Sequence, residues 1–418
     1  MALAPNLFSL PRLNPKQIIV PSTGLLQKVE SDPRSRKSTC HVCCAVSSTT
    51  QVSLSQPEHE RRSANYQPPI WSYDFLQSLK NEHTDISYKE KAAKLEQELR
   101  LAFGDEDAEP LNLLELIDDI QRLGLEHRFE MDISKALEKF VTSKDCGVAE
   151  ETNLHAAALR FRLLRQHGYE VSQDVFKAFK DHKGNFMEFL CKDVKGMLSL
   201  YEASQLAFEG EDIMEEAFTF TRMHLKDLQC NQDKYLSEQV SRALELPLHR
   251  RVRRLEARWH IEAYSEKVGA NHTLLELAKL DFNMVQSTLQ KDLQDMSRWW
   301  MDMGLARKLN FARDRLMECF FWSVGMVPEP QFSNYRKDLT KVVSLITIID
   351  DVYDVYGTLD ELELFTYAVQ RWDVSAVENL PDYMKLCFLA LYNCVNEMAY
   401  DTLRDHGENV LPYLTNVV

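Results

Sequence analysis

The amino-acid sequence predicts an all-α fold built from successive amphipathic helices. Only 13 of the 418 residues are Gly and 14 are Pro, a composition that favours helix over sheet. Hydrophobic residues make up 44% of the chain, so it can bury a sizeable core and is long enough for two domains. Apolar residues recur at helical spacing, as in the set Leu113, Leu114, Leu116, Ile117, Ile120 and Leu123.

The charge and the motif content argue against several function classes. The net charge of −15 and the pI near 5.4 argue against non-specific binding of nucleic acid. An acidic protein that handles an anionic substrate needs metal ions or local arginine clusters to reverse its field. No apolar run reaches the roughly 18 residues of a membrane span. The sequence contains no dinucleotide fingerprint, P-loop or serine-nucleophile elbow, and its nine scattered cysteines do not resemble a disulfide framework.

Residues 1–60 differ in composition from the rest of the chain. They are rich in Ser, Thr, Arg and Lys, and Glu30 and Asp32 are the only acids before residue 58. This pattern is typical of an organelle transit peptide, and a plain disordered tail is the alternative. Three cysteines cluster at 40–44, but no second Cys/His pair follows at zinc spacing, so we expect no zinc site.

The segment RRSANYQPPIW begins at Arg61 and ends at Trp71. Pro68 and Pro69 keep it extended rather than helical. Such a strap cannot stabilise itself, so we expect it to lie on another surface, with Trp71 as an apolar anchor and Arg61 and Arg62 facing acceptors. A simple clasp and an active-site role are both consistent with this pattern, and they are compatible if the strap closes over a pocket.

Periodic apolar residues predict helix after helix between residues 88 and 260. Gly124 is a suitable helix stop, and Gly168 and Gly184 mark breaks in the series. The predicted helical segments are 89–103, 112–123, 155–167, 176–179, 187–208, 211–228 and 234–244.

Two charged clusters in this part of the chain are interpreted as structural. Asp118 and Asp119 lie inside an amphipathic pattern without a third acid one turn later, which favours a polar helix face over a metal site. Four arginines at 250–254 are flanked by Glu256 and Glu262, which favours a solvated or salt-bridged helix face over a nucleic-acid surface.

A second helical group begins near residue 271, and its aromatic content then rises. Aromatic residues at helical spacing are more often core than ligand lining. Aromatic walls nevertheless stabilise passing positive charge and exclude water, as a reaction through carbocations requires. The residues concerned are Trp299, Trp300, Phe311, Phe320, Phe321, Trp322, Phe332, Tyr335, Tyr353 and Tyr356.

The densest patterned charge follows an apolar run in the stretch VVSLITIIDDVYDVY at 342–356. On a regular helix Asp350 and Asp354 lie on one face, and Asp351 is also a neighbour of Asp354, so three carboxylates would project together. Such a group can hold Mg²⁺, which typically bridges one or two carboxylates to a substrate phosphate. Solvated acids at a helix end are the alternative, because a short motif needs structural context.

Two arginines precede this stretch in the sequence Arg313-Asp314-Arg315. Arginines one residue apart can clamp a phosphate through paired hydrogen bonds. A salt-bridged helix start is the alternative, and the acidic cluster downstream favours the phosphate interpretation.

Taken together, these motifs resemble plant terpene synthases, and more narrowly the plastidial monoterpene synthases. The residues that carry the resemblance are RRSANYQPPIW at 61–71, Arg-Asp-Arg at 313–315 and DDVYD at 350–354, in this order behind a transit-like leader. The stretches LKDLQCN from residue 225 and DELELFTYAVQRWD from residue 360 resemble the same family.

The resemblance implies two helical domains behind a plastid transit peptide at 1–60. Residues 61–268 would form the N-terminal terpene synthase helical barrel domain, which carries the strap and no ionisation chemistry of its own. Residues 269–418 would form the class I terpenoid synthase catalytic α-domain.

The resemblance also implies a lyase that ionises and cyclises geranyl diphosphate to a monoterpene and releases diphosphate. It would use Mg²⁺ or Mn²⁺, held by Asp350, Asp351 and Asp354, of which Asp350 and Asp354 are the surer ligands. We expect a plastidial monomer that binds no nucleic acid and has no membrane span.

The basic residues of the motifs receive roles from the same resemblance. Arg313, with Arg315, would take up the departing diphosphate. Arg61, Arg62 and Trp71 would form the strap over the closed pocket, which in this family is associated with isomerisation to enzyme-bound linalyl diphosphate.

One departure from the family pattern concerns a second metal motif, of N/D-D-x-x-S/T-x-x-x-E type. The resemblance places it near the C-terminal end of the catalytic domain, and residues 357–418 do not contain it. We therefore expect a truncated chain with an incomplete catalytic domain and weak or no activity. An inactive remnant that acts through protein association is one alternative. A chain-elongating prenyltransferase is another, but it would carry a second aspartate-rich motif and lack the strap.

Overall fold

Helices and short turns make up the described part of the chain. The computed structural model describes residues 61–104, 109–142, 152–227 and 234–417, and within them only an isolated bridge between Lys180 and Phe186 has strand-like pairing. The all-α prediction is therefore confirmed. The predicted leader at 1–60 lies outside the described residues, and no described helix is long and apolar enough to cross a membrane.

The elements are numbered in chain order. The α-helices are α1 Tyr73–Gln77, α2 Ile86–Phe103, α3 Pro110–Arg122, α4 Glu126–Thr142, α5 Leu154–Gln166, α6 Val194–Ser204, α7 Asp212–Asp227, α8 Lys234–Glu245, α9 Arg253–Tyr264, α10 His272–Met303, α11 Leu305–Lys308, α12 Leu316–Met326, α13 Ser333–Asp351, α14 Leu359–Arg371, α15 Asp382–His406 and α16 Leu411–Val417. Short 3₁₀ helices are Gln173–Phe179, Glu188–Lys192, Leu248–Arg250, Pro330–Phe332 and Val374–Asn379.

Local signals account for where the helices that frame the site begin and end. The long helix α10 begins where the Asn271 side chain accepts a hydrogen bond from the Leu274 amide, and it ends at Gly304, whose φ of +73° is left-handed. Helix α14 begins with a capping box, because Thr358 and Glu361 each bond the other's backbone amide.

The sequence overestimated helix in one region. The predicted segments 176–179 and 187–208 lie in the 3₁₀ helices Gln173–Phe179 and Glu188–Lys192 and in α6. Asp193 interrupts the second segment, because its side chain accepts a hydrogen bond from the Gly196 amide and caps α6.

Helix α10 takes part in two hydrophobic cores. Its first turns pack with α2–α5 through Leu274, Leu275, Leu277 and Ala278. Its later turns pack with α12–α15 through Val285, Leu289, Leu293, Met296 and Trp300. A third core joins α5–α8. The domain boundary between 268 and 269 stays a prediction, since residues 61–418 group as one compact unit.

The acidic pair in α3 is part of a buried ion-paired cluster, which corrects the prediction of a simple polar face. Asp118 accepts hydrogen bonds from Arg122 Nε at 2.9 Å and from Arg162 Nη2 at 2.6 Å, and Asp119 accepts one from Lys267 Nζ at 2.9 Å. Although burial opposes ionisation, the two arginines hold the pKa of Asp118 below its ordinary value. These acids are therefore structural.

Two of the four arginines at 250–254 form ion pairs that the structure describes. Arg251 Nη1 lies 2.6 Å from Glu256, and Arg253 Nη1 lies 3.0 Å from Glu329. Arg254 stacks over the Phe282 ring, 4.1 Å from its centroid.

A buried ion pair fixes the start of α13. Arg336 is 0% exposed, and its Nη2 donates to Asp292 Oδ2 on α10 at 2.6 Å. Its Nη1 donates to the carbonyls of Val327 and Glu329. Ser333 Oγ donates to the other Asp292 oxygen at 2.5 Å. The helix that carries the aspartate motif is thus locked against α10.

Candidate diphosphate and metal site

The DDVYD motif lies where α13 passes into a π-helical turn, Val352–Tyr356. The turn closes through a hydrogen bond from the Gly357 amide to the Val352 carbonyl at 2.8 Å. A Cβ at Gly357 would lie 2.8 Å from that oxygen and 2.7 Å from Leu362 Cδ2, so the site requires glycine. Wide turns of this kind occur frequently at functional sites. The motif is therefore not on the regular helix that the spacing predicts.

The three carboxylates of the motif face different surroundings. Asp351 is fully buried, whereas Asp350 and Asp354 are exposed. Within the described residues, no three side chains of His, Cys, Asp or Glu converge closely enough to hold a metal ion. The structure thus leaves two carboxylates free at the surface and turns the third inward, and the assignment of all three as metal ligands stays a prediction.

Asp351 turns inward because Arg313 binds it. The Arg313 amide and Nε both donate to Asp351 Oδ2, at 2.7 and 3.0 Å. The hydrogen bond to the carboxylate raises the pKa of Arg313 above its ordinary value. A predicted diphosphate-binding arginine and a predicted metal ligand are therefore in direct contact across 38 residues of sequence.

The Arg-Asp-Arg loop is held from both sides. Trp300 Nε1 on α10 donates to Asp314 Oδ1 at 2.9 Å, which fixes the loop to the hydrophobic core that contains Trp300. Arg315 N-caps α12, and its Nη2 donates to the backbone carbonyl of Gln67 in the strap at 2.9 Å. The two arginines therefore face the strap while the aspartate between them faces the core.

The strap is anchored at its first residue. Arg61 forms a bidentate ion pair with Glu361, with Nη1 to Oε2 at 2.5 Å and Nη2 to Oε1 at 2.7 Å. Its guanidinium also lies over the rings of Tyr356 and Tyr383, at 5.0 and 5.6 Å from the centroids. The hydrogen bond from Arg61 lowers the pKa of Glu361 to about 2.

The other two strap residues named above contribute differently. Trp71 is 37% exposed and lines a groove of about 230 Å³ with Trp300 and Arg307 among its walls. Arg62 is exposed and makes no hydrogen bond or ion pair to any part of the chain that the structure describes. The strap therefore contacts the site through Arg61, Tyr66 and Gln67, whereas Arg62 makes no such contact.

The aromatic residues divide between core and surface. Phe311 and Tyr356 stack in parallel with centroids 3.7 Å apart, and Tyr383 meets both edge-on beneath Arg61. Trp300 and Phe320 are buried in the core. Trp299 is partly buried against the same core. The aromatic residues left exposed, on α12, on α13, in the 3₁₀ helix before α13 and in the π turn, are Phe321, Trp322, Phe332, Tyr335 and Tyr353.

Several site residues were not identified from the sequence. The T-x-x-E pattern at 358–361 could have located the start of α14, but it could not reveal that Glu361 binds Arg61 across 300 residues. Tyr383 and Tyr66 carried no local signal at all.

We expect Glu361→Gln to release the strap, whereas acidification to pH 5 leaves it in place. The pKa of Glu361 in the folded chain is about 2, below its ordinary 4.5. Its contribution is complete above pH about 4.5 and is lost only as the pH falls towards 2. Hydroxyl-radical footprinting of Tyr66 should give equal labelling in the wild type at pH 7 and pH 5, and labelling about twofold higher or more in Glu361→Gln.

Glu363→Gln on the exposed face of α14 is the matched control. Release of the wild-type strap at pH 5, or wild-type labelling in Glu361→Gln, would show that the Arg61–Glu361 ion pair does not hold the strap.

The donor set at the end of α13 fits a hard divalent cation. Asp351 Oδ1 is buried and lacks a hydrogen bond of good geometry, although Arg313 Nε lies 2.9 Å away. Asp350 and Asp354, four residues apart in sequence, present free carboxylate oxygens at the surface. Mg²⁺ typically uses one or two carboxylates and completes its shell with water and substrate phosphate, so a preformed three-ligand cage is not required.

The family models and the known proteins that match this chain indicate the same family. The family model for the terpene synthase N-terminal domain matches residues 70–244, and the model for the terpene synthase family metal binding domain matches 301–418. The chain is 62% identical to probable terpene synthase 12 of Ricinus communis over 360 residues, which are 86% of this chain and 61% of that protein. It is 50% identical to a chloroplastic geraniol synthase of Cinnamomum tenuipile, over 90% of this chain and 61% of that protein.

A solved structure is also similar. The crystal structure of isoprene synthase from grey poplar leaves (Populus x canescens), in complex with three Mg²⁺ ions and dimethylallyl-S-thiolodiphosphate, matches with a TM-score of 0.75 and 61% identity. The match covers 82% of this chain and 64% of that one. The chain thus spans a little under two thirds of the length of these relatives.

Proposed function

Because the chain belongs to the terpene synthase family, we propose that it is a monoterpene synthase, a lyase that ionises geranyl diphosphate with Mg²⁺ or Mn²⁺ and releases diphosphate. One observation carries the proposal. The phosphate-binding candidate Arg313 is hydrogen-bonded to Asp351 of the metal-binding candidate motif, under a strap that also holds Arg315. Anion-binding and cation-binding groups are thus side by side, as ionisation of a diphosphate ester requires.

The side chains of the site would divide the work. Asp350, Asp351 and Asp354 would hold the cation, which when bound neutralises charge on the leaving diphosphate. Arg313 and Arg315 would bind the phosphate oxygens through paired hydrogen bonds, so that both are close when the allylic C–O bond breaks.

The strap would keep water from the cation that forms, since it closes over both arginines. Exposed aromatic faces on α12 and α13 would stabilise positive charge on the hydrocarbon chain. No nucleophilic side chain is needed, because the diphosphate departs with the electron pair of the C–O bond.

A C5 substrate is the second candidate. The grey poplar isoprene synthase, 61% identical, was solved with a dimethylallyl thiolodiphosphate. Dimethylallyl and geranyl diphosphates share the allylic diphosphate that Arg313, Arg315 and the aspartates would recognise. They differ only in the length of the hydrocarbon, so the same site chemistry serves either substrate.

The place of action is part of the proposal. Curated relatives such as the geraniol synthase are named chloroplastic, and residues 1–60 have the composition of a transit peptide. We therefore propose that the chain acts in plastids as a monomer, and fluorescence imaging of a fusion at its C-terminus would test the location.

The test of the proposed function uses the full chain in two measurements. Calorimetric titration with inorganic diphosphate, with and without Mg²⁺, examines the site, and we expect binding only with the metal present. Incubation with geranyl or dimethylallyl diphosphate, followed by gas chromatography, identifies the substrate and any product. Failure to bind diphosphate with Mg²⁺ overturns the proposal. Binding without turnover of either substrate identifies a catalytically inactive relative.

A further inference from the structure

Tyr66 is the one residue of the strap from 61 to 70 that turns inward. It is partly buried, whereas the nine other residues of that stretch are exposed. The backbone just before it is bent, because Asn65 has a left-handed φ of +50° and its amide donates to Ser63 Oγ at 3.2 Å. Asn tolerates this conformation better than most residues. The strap is therefore shaped to present Tyr66 to the surface below it.

The surface below Tyr66 is the contact between the two motifs. The Arg313 guanidinium lies over the Tyr66 ring, 5.3 Å from its centroid. The Asp351 carboxylate beside its hydroxyl raises the pKa of Tyr66 above its ordinary value. The next residue, Gln67, binds Arg315 through its carbonyl. One strap residue thus packs against an arginine that is itself hydrogen-bonded to an aspartate 38 positions away.

Two properties of the Arg313–Asp351 pair leave a role for a third group. Arg313 donates hydrogen bonds to Asp351 through its amide and Nε. In the described part of the chain, the Tyr66 ring is the aromatic ring that faces its guanidinium group. Asp351 Oδ1 lacks a hydrogen bond of good geometry although it is buried. The Tyr66 ring gives Arg313 an aromatic face, and its hydroxyl is a donor that can turn to this carboxylate.

We propose that Tyr66 is a positioning residue of the diphosphate and metal site. Its ring sets the plane of the Arg313 guanidinium for phosphate, and its hydroxyl orients the Asp351 carboxylate for the cation. This inference rests on the proposed function, because it assumes that Arg313 meets diphosphate and that Asp351 meets Mg²⁺. Groups that orient a metal ligand typically change metal affinity about 10- to 100-fold when they are removed.

The test separates the two parts of the Tyr66 side chain in the full-length protein. Tyr66→Phe keeps the ring and removes the hydroxyl, so we expect Mg²⁺ affinity, titrated at fixed inorganic diphosphate, to fall about tenfold. Diphosphate affinity at saturating Mg²⁺ should stay within about twofold of wild type. Tyr66→Leu removes the ring as well, and diphosphate affinity should then fall about two- to fivefold further. Both are binding measurements and do not require turnover.

A second tyrosine–arginine pair supplies a matched control. Tyr367 on α14 stacks with Arg371 at 5.2 Å and bonds it through its hydroxyl at 2.7 Å. Tyr367→Phe and Tyr367→Leu should leave both affinities unchanged, so a loss confined to the Tyr66 variants supports the assignment.

The outcomes distinguish this inference from the proposed function. Wild-type affinities in both Tyr66 variants would overturn the positioning role and leave the proposed function standing. Unchanged Mg²⁺ affinity in Tyr66→Phe would overturn the role of the hydroxyl, even if Tyr66→Leu binds diphosphate weakly. A wild-type chain that binds neither Mg²⁺ nor diphosphate would overturn both.

Discussion

The double variant Asp350→Ala/Asp354→Ala is expected to lose Mg²⁺-dependent diphosphate binding. The midpoint of its urea unfolding should stay at the wild-type concentration. Both carboxylates are exposed, and neither makes a hydrogen bond or ion pair to the described part of the chain. Their removal therefore leaves folding contacts intact. Groups that only orient a metal ligand change metal affinity about 10- to 100-fold when they are removed, so the loss of two direct ligands should lower the affinity at least about 100-fold.

Calorimetric titration of diphosphate at fixed Mg²⁺ measures the loss. The control is Asp382→Ala/Asp405→Ala on α15, which removes two exposed charges from a chain of net charge −15. It separates direct ligation from a general electrostatic effect. Binding that survives in the Asp350/Asp354 variant would show that these aspartates do not hold the cation.

Arg336→Met is expected to lower the free energy of unfolding by about 3–5 kcal/mol, the range for breaking a buried ion pair from one side. Arg336 is 0% exposed, and the variant leaves Asp292 charged and buried with Ser333 as its remaining polar partner in the described chain. The carbonyls of Val327 and Glu329 lose their donor as well. Urea unfolding followed by circular dichroism measures the effect.

Two further variants test the cause. Arg258→Met breaks an exposed ion pair with Glu262 and should change stability by less than about 1 kcal/mol. Asp292→Leu/Arg336→Met removes both buried charges and should recover much of the stability lost in the single variant. If Arg336→Met unfolds within about 1 kcal/mol of wild type, the Asp292–Arg336 pair does not lock α13.

Much of the fold could be predicted because helical periodicity is a local property of the sequence. Helix α3 was predicted within about two residues, since a regular apolar stripe ends at Gly124. The structural role of Asp118 and Asp119 was also predicted, but their ion-pair partners were not, because Arg162 and Lys267 approach from distant segments.

The sequence predicts which residues belong to the candidate site, but it does not predict how they are arranged in space. Spacing on a regular helix implied that Asp350, Asp351 and Asp354 converge. The π turn and the Arg313 contact separate them. A pattern of identities cannot show that a helix widens after residue 351, because that depends on the closure at Gly357. Likewise, nothing near Arg61 in the sequence indicates that its partner is Glu361.

Helix α10 has a practical consequence for dissecting the chain. Its 32 residues pack in two hydrophobic cores. A cut between residues 268 and 269, the predicted domain boundary, would therefore separate this shared helix from one of the two cores. A fragment starting at 269 would expose the apolar turns that now pack against α2–α5, namely Leu274, Leu275, Leu277 and Ala278. The complementary fragment, which would end at residue 268, would lose the α10 residues that cover its own hydrophobic core. Separate expression of the two halves would therefore yield aggregation-prone pieces, and the C-terminal half is best studied with its neighbour attached.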